Sequence, residues 1–193
     1  KNGTLPKIIV PVDFSGQSCE MAEIRDLASK YGCKVMEDAS HAVGGEYRGK
    51  MVGDGSHADL TVFSFHPVKI MTTGEGGMIF TNDDELYQKL LRLRSHGITR
   101  DPHFVQNPLD GPWGYEQIEL GFNNRITDLQ AALGETQSKK LPHFLARRRE
   151  LAARYDEKLA ELPVTRPWQH PDTLSAWHLY VIQVPANNRL AIY

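Results

Sequence analysis

The sequence predicts an α/β protein built around a parallel sheet. Short apolar runs rich in Val, Ile and Phe alternate with segments of helical periodicity. The first segments follow the order strand, helix, strand, which is the unit that right-handed crossovers build. Polar residues stand where these strands end, and α/β sheets bind their ligands at that edge.

The first parallel unit occupies the start of the chain. Residues 8–12 form an apolar, β-branched run and predict a buried strand. Apolar residues then recur at helical spacing over 21–31, and Gly32 follows where a left-handed cap ends a helix. Residues 34–36 predict the second strand, which runs directly into the acidic pair 37–38.

Two further strands and a helix are predicted in the middle of the chain. Residues 60–65 are a strand candidate that follows a loop rich in Gly and charge. A turn with three glycines, 72–77, leads into another strand at 78–81. The helix behind it has acids in its first turn, where the helix dipole favours them, and leucines at helical spacing: Leu86, Leu90 and Leu93.

The last third of the chain predicts a long loop, two helices and a strand. Residues 97–121 show little periodicity, and ordered loops of that length usually serve a site or an interface. Thr127 is expected to cap a short helix, a second helix is expected over 141–162, and residues 177–184 are a strand candidate.

Composition excludes several classes of function. The 22 Lys and Arg residues against 24 Asp and Glu residues argue against a protein devoted to nucleic acid or to an anionic membrane surface. No apolar run reaches the roughly 20 residues of a membrane helix, and no leader pattern opens the chain. Cys19 and Cys33 lack metal-ligand spacing and are expected to be core thiols in a reducing compartment, which predicts a cytoplasmic protein.

Three polar residues converge if the parallel sheet is correct. Asp38 and His41 follow one strand, and Lys69 follows another. An apolar strand end disfavours the ammonium form of a lysine and exposes a nucleophilic amine, which Schiff-base chemistry with an aldehyde cofactor requires. A carboxylate facing the same pocket can keep a proton on a pyridine nitrogen. A surface lysine and a helix-capping aspartate remain the alternative from spacing alone.

Four ordered blocks resemble the signature of the DegT/DnrJ/EryC1/StrS family of sugar aminotransferases. They are Glu-Asp-Ala-Ser-His-Ala at 37–42, Phe-Ser-Phe-His-Pro-Val-Lys at 63–69, Gly-Glu-Gly-Gly at 74–77, and the segment 121–134 that begins Gly-Phe-Asn. Together the resemblance covers essentially the whole chain. Within the family, three segments are most similar to the enzymes of pseudaminic acid synthesis: His-Pro-Val-Lys-Ile at 66–70, Thr-Thr-Gly-Glu-Gly-Gly at 72–77, and 113–121. The block 176–179 is at least as similar to the aminoarabinose type.

The resemblance implies pyridoxal 5'-phosphate (PLP) as the cofactor and assigns roles to five residues. Lys69 is expected to form the Schiff base and Asp38 to pair with the pyridine nitrogen. His41 is expected beside the ring and its phenolic oxygen, and Ser64 at the cofactor phosphate. Asn123 is expected to reach the phosphate region of a neighbouring subunit's site, and no residue is assigned to a metal.

The resemblance also implies a fold, a division into domains and a reaction. The fold is the fold-type-I PLP-dependent transferase, a three-layer α/β/α structure, with residues 1–138 in the large domain and 139–193 beginning the small one. The expected reaction moves an amino group, from L-glutamate, to a nucleotide-linked 4-keto-6-deoxy sugar. A homodimer is expected, with 97–121 contributed to the partner. Because family enzymes are much longer, the chain is expected to be a central piece of one.

Three alternatives remain open at this stage. Some relatives are sugar dehydratases without the Schiff-base lysine, and Lys69 argues against that reaction. A metal-dependent hydrolase could use the side chains of Asp38, His41, Asp54 and His57, although their spacing is scattered. A folded remnant without catalysis is the third alternative, and cofactor binding distinguishes it from an enzyme.

Overall fold

The computed structural model describes residues 4–193. The strands are β1 (Ile8–Ile9), β2 (Lys34–Asp38), β3 (Glu46–Tyr47), β4 (Lys50–Met51), β5 (Leu60–Ser64), β6 (Gly77–Phe80), β7 (Ile98–Thr99), β8 (Glu116–Gln117) and β9 (Thr173–Leu174). The α-helices are α1 (Met21–Tyr31), α2 (Asp84–Leu93), α3 (Asp128–Lys158) and α4 (Arg189–Ile192). The chain divides into two compact units, one formed by Lys1–Phe80 with Leu129–Tyr193 and the other by Thr81–Asp128.

A four-stranded sheet in the order β1-β2-β5-β6 organises the first unit. The first three strands are parallel and β6 is antiparallel to β5, which confirms a mostly parallel sheet. Glu37 lies opposite Thr61 and Asp38 lies opposite Val62 in the β2–β5 ladder. Because β2 and β5 are parallel, the loops that follow them leave the sheet at the same edge.

Helix α1 covers one face of this sheet. It ends at Gly32, whose φ of 68° is the left-handed cap that the sequence predicts. Met21 and Ala28 are buried against Val35 of β2, as the apolar spacing requires. Burying a side chain such as Met21 contributes about 1.5–3 kcal/mol, so this face holds β2 in place.

A small antiparallel sheet in the order β4-β3-β9 lies in the same unit. Tyr47 of β3 is buried and joins the core beneath α1. Its hydroxyl donates a hydrogen bond to Glu23 of α1 at 3.0 Å. The loop rich in Gly and charge therefore packs against the helix and closes that side of the core.

The two helices predicted after Thr127 form one continuous helix, α3, so the predicted break is wrong. The polar stretch between them is the solvent-facing side of α3, where Lys139 pairs with Glu135 one turn earlier at 2.6 Å. Pro142 lies inside the helix without ending it. Thr127 directly precedes the first helical residue, which is the predicted capping position.

The strand predicted at 177–184 is also wrong. Trp177 adopts a positive φ of 51°, which is incompatible with an extended strand. The neighbouring amides bond to a turn instead, since Ala176 N–H donates to Gly16 O and Leu179 N–H donates to Ser15 O. Of the predicted strand, Gln183 alone forms a bridge, to Thr165.

The second unit, Thr81–Asp128, contains α2 and a two-stranded sheet of β7 and β8. The Asp83 carboxylate accepts hydrogen bonds from the Glu85 and Leu86 amides and caps α2. Arg92 forms an ion pair with Glu119 at 2.8 Å. The predicted loop 97–121 is thus ordered by a short strand pair and an ion pair.

The fold also bears on the expectations for membrane helices, for the two cysteines and for the domain boundary. No helix among residues 4–193 has the length and apolar character needed to span a bilayer. Both cysteines are free thiols: Cys33 is buried in the core as expected, whereas Cys19 is only half-buried. The domain boundary predicted between 138 and 139 lies inside α3 and stays a prediction.

Candidate active site

The carboxyl ends of β2 and β5 bring two predicted site residues to one edge of the sheet. Asp38 is the last residue of β2, and Ser64 is the last residue of β5. Both are half-buried and lie at alternating positions that share the face opposite Glu37 and Thr61. Strand geometry therefore places them on a common side.

The backbone of Asp38 is fixed by the turn that follows β1. Its N–H donates to Pro11 O at 2.9 Å, and its carbonyl accepts from Asp13 N–H at 3.0 Å. One carboxylate oxygen, Oδ1, accepts from Ser40 N–H at 3.0 Å. This turn orients the carboxylate, and an acceptor with an ordered donor is suited to hold a ligand proton.

The imidazole of His41 lies close to two other rings. Its centroid is 4.5 Å from that of His178 and 5.9 Å from that of Phe14. Burial lowers the pKa of His41, the charge of Lys69 lowers it further, and the carboxylate of Asp38 acts in the opposite direction. The three residues predicted from the sequence thus interact electrostatically at this edge of the sheet.

The half-buried Lys69 is presented by a turn after β5. Its backbone N–H donates to His66 O at 3.0 Å, which closes that turn. Its ammonium group forms no hydrogen bond or ion pair with residues 4–193. The amino group of Lys69 is therefore available to a ligand beside His41 and His178, and its neutral form is a nucleophile.

His178 is a member of this cluster that sequence reasoning missed. It is 9% exposed, and its Nδ1 is buried without a hydrogen-bond partner in the part of the chain that the structure describes. Burial lowers its pKa to about 4, and the charges of His41, Lys69 and Arg148 act in the same direction. The block 176–179 was visible in the sequence, but nothing in its spacing connects it with His41.

Helix α3 supports the segment that carries His178. Arg148 Nη1 donates to the carbonyls of Trp177 and His178 at 3.0 and 3.1 Å. Arg149 donates to Ser175 O at 3.4 Å from the next position of the helix. Two consecutive arginines therefore hold a segment that has no regular secondary structure.

The remaining two predicted residues have different surroundings. Ser64 Oγ accepts from His66 N–H at 3.4 Å, at the start of the turn that carries Lys69. Asn123 is exposed and belongs to the second unit, where it forms an isolated bridge with Ser95. The phosphate-binding roles assigned to both residues stay predictions.

The metal-hydrolase alternative has no geometric basis in residues 4–193. No group of three or more His, Cys, Asp or Glu side chains there is arranged to hold a metal ion. Asp54 is occupied with Ser56 and Lys50 instead.

The sequence of the chain matches one protein family over nearly its full length. The model of the DegT/DnrJ/EryC1/StrS aminotransferase family aligns with residues 2–192. The chain belongs to this family. Aminotransferases of the family are PLP-dependent and have the fold-type-I architecture, which confirms the predicted fold class.

Similar proteins from the family agree in fold and differ in length. The UDP-4-amino-4,6-dideoxy-N-acetyl-beta-L-altrosamine transaminase of Campylobacter jejuni is 49% identical over 158 residues, which are 82% of this chain and 39% of that protein. PseC of Helicobacter pylori, an aminotransferase of pseudoaminic acid biosynthesis, superposes with a TM-score of 0.81 at 36% identity, covering 95% of this chain and 47% of PseC. The chain therefore spans less than half the length of both.

A third relative bears on the cofactor. Spr1654 of Streptococcus pneumoniae has been solved in a PLP form, which superposes with a TM-score of 0.79 at 28% identity and covers 96% of this chain and 50% of that one. It has also been solved in a PMP form. A protein with this fold thus carries the cofactor in its aldehyde and its amine states.

Proposed function

We propose that this chain forms the PLP-binding part of a nucleotide-sugar aminotransferase. The reaction transfers an amino group from an amino acid, L-glutamate, to a nucleotide-linked 4-keto-6-deoxy sugar. The observation that carries the proposal is the convergence of Asp38, His41 and Lys69 at the carboxyl edge of the parallel sheet in a chain of this family.

The side chains at this edge fit an aldehyde-bearing pyridine ring. Lys69 offers an amine without a partner in residues 4–193, and Asp38 offers an oriented carboxylate. His178 adds a buried Nδ1 that also lacks a partner there. The aldehyde carbon would meet the amine of Lys69, and the ring nitrogen would meet the carboxylate of Asp38.

Two residues carry the chemistry in this proposal. When bound, PLP supplies an electron sink for the carbanion that forms beside the transferred nitrogen. With PLP bound, Lys69 would hold the aldehyde carbon through Nζ. Once the donor amine had displaced it, the neutral Nζ would accept the proton from the α-carbon of the donor and hold it for return. The Asp38 carboxylate keeps a proton on the ring nitrogen.

Three residues bind rather than react. With PLP bound, His41 would lie beside the ring and hydrogen-bond its phenolic oxygen, and Ser64 Oγ would bind the phosphate. Asn123 binds the phosphate region of the neighbouring subunit's site. We accordingly propose a cytoplasmic homodimer in which 97–121 contributes to the partner subunit, with a large domain over 1–138 and a small domain that begins at 139.

The substrate class follows from the relatives. The Campylobacter protein is named for a UDP-linked 4-amino-4,6-dideoxy sugar and shares 49% of its aligned residues with this chain. That identity favours a UDP-linked 4-keto-6-deoxy-hexosamine as the acceptor. A nucleotide sugar of the aminoarabinose type is the alternative acceptor.

Visible absorbance with PLP, followed by borohydride reduction and peptide mass mapping, tests the proposal. We expect saturable binding and a single reduced adduct on Lys69. Lys69→Ala should lose the adduct, whereas Lys50→Ala is the matched control because Lys50 bonds Ser56 and Asp54 away from this cluster. Diffuse labelling of many lysines in the native protein would contradict the proposal.

A further inference from the structure

A turn after β1 supplies the only hydrogen bond that the His41 ring makes within residues 4–193. The backbone N–H of Ser15 donates to His41 Nδ1 at 3.3 Å, across 26 residues of sequence. Ser15 has a positive φ of 66°, which is uncommon for a residue other than glycine. Such strain persists only where the surrounding structure holds it, and it concentrates at functional positions.

The surrounding structure does hold this turn. The carbonyls of Ser15 and Gly16 accept hydrogen bonds from the amides of Leu179 and Ala176. Gly16 has a φ of 108°, and a Cβ there would lie 2.7 Å from Trp177 N. The segment that follows α3 therefore fixes the direction in which the Ser15 N–H points.

A hydrogen bond from an amide to Nδ1 determines the chemical state of the ring. An imidazole nitrogen that accepts a hydrogen bond carries no proton, so the proton of neutral His41 is on Nε2. A protonated ring would place two donors in opposition at Nδ1. Burial and the charge of Lys69, which lower the pKa of His41, favour the same neutral state against the opposing charge of Asp38.

We propose that the Ser15 backbone N–H is a positioning group that fixes His41 as the Nε2–H tautomer. His41 then presents a hydrogen-bond donor, and never an acceptor, to the cofactor. This donor role rests on the proposed function. It implies that His41 binds a deprotonated ring oxygen. Nδ1 is not available to the ligand because the turn occupies it.

Two other histidines provide an internal comparison. His66 Nδ1 accepts from Val68 N–H at 3.3 Å, and His170 Nδ1 accepts from Asp172 N–H at 3.1 Å. Each of these donors is two residues away on the same loop. The donor to His41 comes from a distant turn, so its tautomer reports on tertiary structure rather than on local sequence.

Nitrogen NMR of histidine-labelled protein without cofactor directly tests whether His41 is the Nε2–H tautomer. We expect His41, assigned by loss of its signals in His41→Gln, to show a protonated Nε2 and an unprotonated Nδ1. Ser15→Gly keeps both the N–H and the positive φ and should retain this tautomer. Gly16→Ala displaces the turn and should yield a mixture of tautomers. A protonated Nδ1 or a tautomer mixture in the native protein would overturn the tautomer inference. Neither result would bear on whether the protein binds PLP.

Two substitutions at position 41 test whether His41 donates a hydrogen bond to the cofactor. The amide of His41→Gln can place an N–H where Nε2 lies, whereas that of His41→Asn reaches only as far as Nδ1. We expect His41→Asn to bind PLP about 10- to 150-fold more weakly than His41→Gln, the range for one hydrogen bond to a charged acceptor. Equal affinities would overturn the donor role. Absence of PLP binding by the native protein would instead refute the proposed function and leave the tautomer standing.

Discussion

Glu37 and Asp38 are adjacent carboxyl groups at the end of β2, and their surroundings are opposite. Glu37 is 5% exposed, accepts a hydrogen bond from Thr61 Oγ1 at 2.9 Å, and lies close to the fully buried Asp13. Asp38 is half-buried, is oriented by the Ser40 amide, and interacts with His41. Of these two neighbours in sequence, Glu37 thus belongs to the core and Asp38 to the candidate site.

The pleat of the strand explains the difference. Successive side chains point to opposite faces, so Glu37 joins Val35 on the face that α1 covers, and Asp38 points to the other face. In the core, burial raises the pKa of Glu37 and raises that of Asp13 to about 8. We therefore expect the carboxyl groups of the core to affect stability, whereas the role proposed for Asp38 is ligand binding.

The largest effect is expected on the site face, from Lys69→Ala. Loss of the Lys69 amine should remove both the proposed cofactor attachment and the proposed proton transfer, and the proton-transfer contribution alone is about 10²–10⁴-fold in rate. Turnover of a 4-keto nucleotide sugar with glutamate as donor measures the loss. Turnover near the native rate in Lys69→Ala would show that the chemistry lies elsewhere.

Paired amide substitutions at the end of β2 sharpen the contrast between the two faces. Asp38→Asn loses a charge-assisted hydrogen bond to the ring nitrogen, worth about 1.5–3 kcal/mol, so PLP affinity should fall about 10- to 150-fold. Glu37→Gln keeps an acceptor for Thr61 and should leave PLP affinity unchanged. Titration of both variants by absorbance compares them. A larger loss of affinity in Glu37→Gln would reverse the assignment of the two faces.

The core face should respond to pH through Asp13. Its pKa is about 8 in the folded state, because of burial and the charge of Glu37, against 3.8 when unperturbed. Between these values the folded protein binds more protons than the unfolded chain, so stability falls as pH rises, by up to about 1.4 kcal/mol per pH unit. Urea unfolding from pH 5 to 8 should show this decline, and Asp13→Asn should flatten it. An identical slope in Asp13→Asn would assign the dependence to another group.

His178, in the candidate site, should make stability depend on pH in the opposite direction and more weakly than Asp13 does. Burial holds its pKa at about 4 against 6.5, so the unfolded chain binds more protons in between. Stability is therefore fully present above pH 6.5 and declines as pH falls toward 4. NMR titration of His178 measures the pKa directly, and an ordinary pKa would contradict its burial.

Local signals explain which elements could be predicted. Apolar spacing and Gly32 predicted α1 correctly, because its buried face and its cap both depend on residues within the helix. The strand at 177–184 was predicted wrongly because its apolar residues satisfy strand periodicity, whereas its amides bond to the distant turn at Ser15 and Gly16. Helix α3 was predicted as two helices because residues 135–140, a largely solvent-facing stretch within it, carry no apolar residue at helical spacing.

The sequence by itself determined the α/β class, the positions of the main strands along the chain and the family, because strand and helix periods and four motif blocks are properties of neighbouring residues. It also brought Asp38, His41 and Lys69 into one hypothesis, since parallel strands end at one edge. Only the tertiary structure decided that His178 joins them and that Ser15 sets the state of His41. Both depend on contacts between segments far apart in the chain, whose register no local pattern encodes.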